Sequence, residues 1–309
     1  MTVPYLLRLI CLCLASFFLL HLAVAGFLAA LAGRAVRLAE RMAADRAARL
    51  LLALRLLPPG LAAILVGGIC VPSYLWLEPD ATAEHVGWPC LAAALLGGWI
   101  CAAGLARAAR AAVRSNLYLR RCRTVADSNA PLVLLAGVFR PRLVVSRGVR
   151  RALAPEQLAA AVRHESAHRV SHDNLKRLLL VAAPGIVPFG CGLRELERGW
   201  ARMAEWAADD RAAAGSTRRS LALAGALVRV ARMGTEGQPA PELVTSLMAD
   251  AGDLEARVER LLNPRTPARA SRSRRRRMAL AAGAGAAIAV ALQPGTFYAA
   301  HSLLEELMR

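Results

Sequence analysis

Residues 155 to 172 read PEQLAAAVRHESAHRVSH. Pro155 stands where a first helical residue belongs and Glu156 adds an acidic residue to the first turn, so the spacing predicts a helix that runs on to about residue 180. On such a helix His164 and His168 project from one face, four residues apart, and both imidazoles can reach one Zn2+. Glu165 then sits beside the metal's open position, where it can act as general base toward an attacking water. In a chain with only 6 histidines this H-E-x-x-H pattern is a strong signal.

A catalytic zinc takes three protein ligands and keeps one position open. Downstream, Glu205 in the stretch EWAADD (205 to 210) is the best candidate for the third. Glu205 and Asp209 share a helical face, so Glu205 can bind metal while Asp209 hydrogen-bonds a ligand imidazole from behind. His172 competes on residue type, but lies two turns beyond His164, roughly 12 Å along the axis. Asp173 reads as a residue that caps a backbone group or orients a neighbouring helix.

Upstream, residues 131 to 135 and 142 to 146 are short apolar runs separated by Gly137 and Pro141, and they predict two strands joined as a hairpin. The second strand could offer its edge to an extended substrate. Residues 194 to 213, 218 to 233 and 251 to 262 predict further helices.

Further out, the chain turns apolar. Residues 9 to 33 carry no charge and are too long for a signal-peptide core; with 56 to 77, 88 to 106 and 278 to 300 they predict four membrane spans. Overall 56% of residues are apolar and 5% aromatic, with mean hydropathy +0.39, a profile that suits membrane helices better than a soluble core. The net charge of +18 is almost all arginine. Its placement alternates: Arg34, Arg37, Arg41, Arg46 and Arg49 follow the first span, Glu78, Asp80 and Glu84 with no Lys or Arg follow the second, and Arg107, Arg110, Arg114, Arg120, Arg121 and Arg123 follow the third. Basic loops stay cytoplasmic, so residues 1 to 106 form three spans, 107 to 277 a cytoplasmic domain, and 278 to 309 a fourth span with a short external tail. On that reading the charge is a topology and lipid-headgroup signal, and no nucleic-acid partner is expected. The 7 cysteines lack metal-type spacing and read as small buried hydrophobes.

One apolar segment constrains the rest. Residues 178 to 193, with Pro184 and Pro188, cannot cross the bilayer once, because Glu205 would then emerge opposite His168. A re-entrant or membrane-abutting segment is expected there, with the metal site close to the membrane surface.

Phe139-Arg140-Pro141, the helix start at Pro155-Glu156-Gln157-Leu158, the His164 to His168 motif, Asp173 nine residues after His164, and Glu205 through Asp210 together resemble the antibiotic-sensor membrane metallopeptidases of the BlaR/MecR type. The resemblance covers residues 125 to 262, and the order of three spans, protease and fourth span fits it too. Part of it is shared with the CAAX-protease and heat-shock HtpX-like membrane peptidases. It implies a mainly α fold: multi-pass membrane helices carrying a zincin-like cytoplasmic α+β metalloprotease domain. It also implies His164, His168 and Glu205 as zinc ligands, Glu165 as base and Asp209 as supporting carboxylate. Ala154 departs from the usual Ser or Thr cap, and Ala208 from the cysteine often found before the paired aspartates. With no penicillin-binding domain after the fourth span, a β-lactam receptor role is not expected.

The function expected is a membrane zinc metalloendopeptidase cutting cytoplasmic or membrane-proximal proteins, with a transcriptional repressor as candidate substrate and a separate sensor protein as candidate partner. The rival readings are a non-catalytic zinc-binding membrane sensor or scaffold, and a membrane adaptor whose histidines are ordinary surface residues.

Overall fold

A computed structural model of the chain describes residues 3–78, 86–120, 127, 132–185, 190–233, 245–246, 253–263 and 293–308. Ala and Leu, both strong helix formers, dominate the first third, and helices follow. Three are long and apolar enough to cross a membrane. They are α1 (Val3–Glu40), a continuous run made of α2 (Ala44–Leu65), a π turn (Val66–Cys70) and α3 (Val71–Leu77), and α4 (Trp88–Arg120). Pro58 and Pro59 lie inside α2, and Gly67 and Gly68 inside the π turn, residue types at which a helical hydrogen-bond ladder is disturbed.

These helices outrun the predicted spans. Only residues 41 to 43 separate α1 from α2, so most of the arginines expected in a loop there sit on helical extensions instead. Arginine is itself a good helix former, and nothing in residues 34 to 40 breaks the helix. Of the expected fourth span, residues 278 to 292 lie outside the described residues; residues 294 to 300 belong to α11 (Pro294–Met308), which packs on α3 and the π turn.

The hairpin forms as expected: β1 (Val133–Ala136) pairs antiparallel with β2 (Arg142–Val145), Leu134 opposite Val144. Gly137, with φ of 102°, takes the turn conformation that a side chain would resist. A third strand, β3 (Thr245–Ser246), was not foreseen; it pairs with β1 on the other side, giving the order β2-β1-β3.

After β2 come α5 (Arg147–Ala152), α6 (Pro155–Ser171), α7 (Asp173–Ala182), α8 (Gly190–Ala213), α9 (Thr217–Arg232) and α10 (Leu254–Leu262). The helix expected to continue to residue 180 breaks at His172, which adopts the left-handed conformation with φ of 56° and ψ of 39°. At the start of α6 the Gln157 side chain accepts a hydrogen bond from the Ala154 N–H at 3.1 Å. The third helical residue thus supplies the half of the cap that Ala154 cannot.

The apolar segment at 178 to 193 turns back. α7 ends against α4 and α8 begins against α1, with residues 186 to 189 outside the described residues. A Cβ on Gly104 would stand 2.3 Å from the Ala182 carbonyl oxygen, and one on Gly192 2.6 Å from that of Ala29, so backbone meets backbone at both contacts. Arg55 and Arg107 donate to the terminal α7 carbonyls: both reach Ala183 at 3.4 Å, and Arg107 also reaches Val181 at 3.4 Å. Arg55 is in addition bonded to Glu197 of α8 at 2.7 Å.

α8 ties the molecule together. Leu193, Leu196, Trp200, Met203 and Ala204 pack with α1 and α2 in one core. Ala212 belongs to a second core, with Val133, Val149, Ala160, Ala161, Leu223, Leu227 and Leu261. The helix therefore carries its middle, where Glu205 lies, from the apolar bundle to the face of α6.

Candidate metal centre

α6 supplies two imidazoles at one-turn spacing. Small residues on the same helix, Ala160, Ala161 and Ala167, are buried and let α8 and α9 approach closely. His164 is fully buried and His168 1% exposed, and their Nε2 atoms face each other at 3.1 Å with the rings edge to face. Glu205, 4% exposed, closes the triangle: its oxygens stand 3.3 Å from His164 Nε2 and 3.5 Å from His168 Nε2.

Those edges suit one ion. A tetrahedral site with ligand bonds of about 2.0–2.1 Å has ligand-to-ligand edges of about 3.3 Å. Neither oxygen of Glu205 has a hydrogen-bond partner among the described residues, although both are buried. Buried oxygens that make no hydrogen bond are costly, and a cation held between the carboxylate and the two imidazoles lowers that cost. His164, His168 and Glu205 are accordingly a group that could hold a metal ion.

The far side of each imidazole meets a carboxylate. His164 Nδ1 lies 2.9 Å from Asp209 Oδ1, and His168 Nδ1 lies 2.7 Å from Asp173 Oδ2. Such partners fix ring orientation and leave Nε2 turned to the shared point. Asp173 reaches His168 only because the left-handed His172 folds α7 back on α6. Lys176 holds Asp173 Oδ1 at 2.8 Å. Asn174 ties the start of α7 to the hairpin, donating to the carbonyls of Leu135 at 3.0 Å and Gly137 at 2.7 Å.

Arg257 is the residue that the sequence reading missed. It reaches in from α10, 3% exposed, and grips Asp209 with two hydrogen bonds of 2.9 Å and 2.8 Å; a third nitrogen lies 3.3 Å from Glu205. A signal was present. Leu254, Val258 and Leu261 form an apolar stripe at helical spacing, and Arg257 stands on it, where a solvated arginine would not. Arg177 of α7 adds a more distant cation, 3.7 Å from Glu205.

The charges tune one another. Burial disfavours the charged form of His168, but Glu205 and Asp173 outweigh it and push the imidazole up to about 10. His164 is raised in the same way, burial being overcome by Asp209 and Glu205. Burial works against ionising Glu205 and Asp209 as well; His168 for the one and Arg257 for the other hold them below the usual carboxylate range. Glu165 is the exception. It is fully buried, its oxygens have no hydrogen-bond partner among the described residues, and burial pushes it up to about 7.

The other histidines among the described residues do not join the centre. His172 is exposed at the helix break, His21 is buried in α1 against Phe17, and His301 on α11 pairs with Glu305 at 3.3 Å. Glu205 is 15 residues beyond Gly190 on α8, about 22 Å of helical rise from the apolar turn.

No protein-family model, curated protein or solved structure matches this chain.

Proposed function

We propose that this chain is a zinc metalloendopeptidase embedded in the membrane, with a zincin-like domain on the cytoplasmic side, of the BlaR/MecR-type kind that its motifs resemble. The observation that carries the reading is Glu165. A purely structural metal site needs no base, yet here a fully buried carboxylate with no hydrogen-bond partner among the described residues stands beside the His164, His168 and Glu205 triangle.

His164, His168 and Glu205 would hold the zinc, with Asp209 and Asp173 behind the imidazoles. When bound, zinc supplies the electrophile that acidifies water and polarises a scissile carbonyl. Glu165 takes the proton of the attacking water and returns it to the leaving amine nitrogen. Arg257 balances the charge of Asp209 and Glu205, so that the Glu205 carboxylate stays ionised inside a buried site.

Three helices of spanning length support the membrane assignment, and the alternation of arginine along the chain supports the cytoplasmic side. A protein substrate, with a repressor as candidate, fits a regulatory protease in this position.

The test is zinc content and cleavage of an unstructured protein by the full chain in detergent. Wild type is expected to bind about one zinc and to cleave. Glu165→Gln should keep the zinc and lose about 100-fold or more of the activity, while Glu205→Ala loses both. Zinc binding with cleavage untouched by Glu165→Gln would leave a structural site in place of the protease.

A further inference from the structure

The outer edge of β2 has no strand beside it among the described residues, and the chain around it carries charge of one sign. In the order β2-β1-β3, β2 pairs among the described residues with β1 alone. The Ser146 N–H donates to the Leu132 carbonyl at 2.9 Å, and antiparallel partners alternate between bonded and non-bonded pairs. The backbone groups of Val144 therefore face β1, and those of Leu143 and Val145 face outward. No backbone bond reaches these outward groups among the described residues.

From residue 128 to residue 155 the chain has 5 arginines and no acidic residue. Arg147 is held by Asp127 at 3.0 Å. Arg140, Arg142, Arg150 and Arg151 are exposed, and the structure gives them no acidic partner among the described residues. Phe139, at the tip of the hairpin, is 81% exposed.

An open edge is a template for another strand, and charge beside it decides which strands can approach. In a chain of net charge +18, a basic edge repels a second copy and admits an acidic one. We propose that the outer edge of β2, framed by Arg140, Arg142, Arg150 and Arg151, docks an extended acidic segment of the protein substrate; this rests on the peptidase reading above. Main-chain bonds to Leu143 and Val145 give the pairing, and the arginines select its sign. A segment docked there sets which proteins are presented to the centre. Lipid headgroups would use the arginines but have no use for free strand N–H and C=O groups.

Docking is measured on the full chain in detergent, carrying Glu165→Gln to prevent turnover, by anisotropy of a labelled short peptide of alternating Glu and Val and of its Gln-for-Glu analogue. The acidic peptide is expected to bind about tenfold tighter or more at low salt. Arg140→Glu with Arg142→Glu should abolish that preference. Leu143→Pro should weaken the acidic peptide several-fold while leaving the fold intact, since that N–H makes no bond to β1. Equal binding of the two peptides, or a preference that survives both variants, overturns the proposal. So does a charge reversal that abolishes binding to phosphatidylserine vesicles while Leu143→Pro leaves peptide binding unchanged, which would assign the arginines to a membrane surface. Hydrolysis with no acidic preference removes the docking proposal and keeps the peptidase; acid-selective binding by a chain that hydrolyses nothing does the reverse.

Discussion

His168 and Asp173 lie on different helices, five positions apart, yet His168 Nδ1 and Asp173 Oδ2 are 2.7 Å from each other. The contact orients one imidazole of the candidate metal centre and depends on the break between α6 and α7. Replacing Asp173 by Ala removes the partner and leaves the ring free to turn. Zinc affinity should fall about 10–100-fold, read by competition with a chelating dye. An unchanged affinity would show that packing alone holds the ring.

His172 makes that break in a left-handed conformation, which costs a non-glycine residue free energy. His172→Gly should keep zinc stoichiometry and raise the thermal midpoint slightly, whereas a ligand histidine could not be lost without losing metal. Metal analysis and a melting curve of the same variant decide between the two roles.

Arg257 is buried between Asp209 and Glu205, so Arg257→Met takes away the guanidinium that both carboxylates share and leaves them only the imidazoles as cationic partners. Destabilisation of about 3–5 kcal/mol is expected, measured by denaturant unfolding of the metal-free protein. Adding Asp209→Asn to that variant should recover part of the loss. Two additive losses would refute the coupling.

Zinc loading should release protons and strengthen as pH rises. In the metal-free protein His168 holds its proton up to about 10, against an ordinary value near 6.5, and His164 is raised as well. The folded state therefore binds the proton more tightly than the unfolded chain. The stability contributed by His168 is fully present below about 6.5 and is lost as pH rises through about 10. A metal must displace that proton, so near pH 7 calorimetry in buffers of different ionisation enthalpy should find about one proton or more released per zinc. Release of none would mean that the imidazoles are already neutral.

The sequence by itself determined what is local or periodic. Helical spacing put His164 and His168 on one face, and the same spacing joined Glu205 to Asp209. Uncharged runs marked the long helices, and the turn residues around Gly137 and Pro141 marked the hairpin. Each of those depends on residues within a few turns of one another, where backbone geometry leaves little choice. The boundaries were less legible, because arginine-bearing helix ends continue the helix as readily as alanine does.

Only the tertiary structure decided what meets across the chain. Nothing near Arg257 in sequence says that it will close on Asp209, 48 positions away; that contact exists because α9 and α10 pack together against α6 and α8. Nothing local makes Gly104 and Gly192 the points where α4 and α1 touch the ends of α7 and α8. The left-handed His172 is likewise a tertiary result: helix propensity favours continuation, and the start of α7 is tied instead by Asn174 to the carbonyls of Leu135 and Gly137, 39 and 37 positions away.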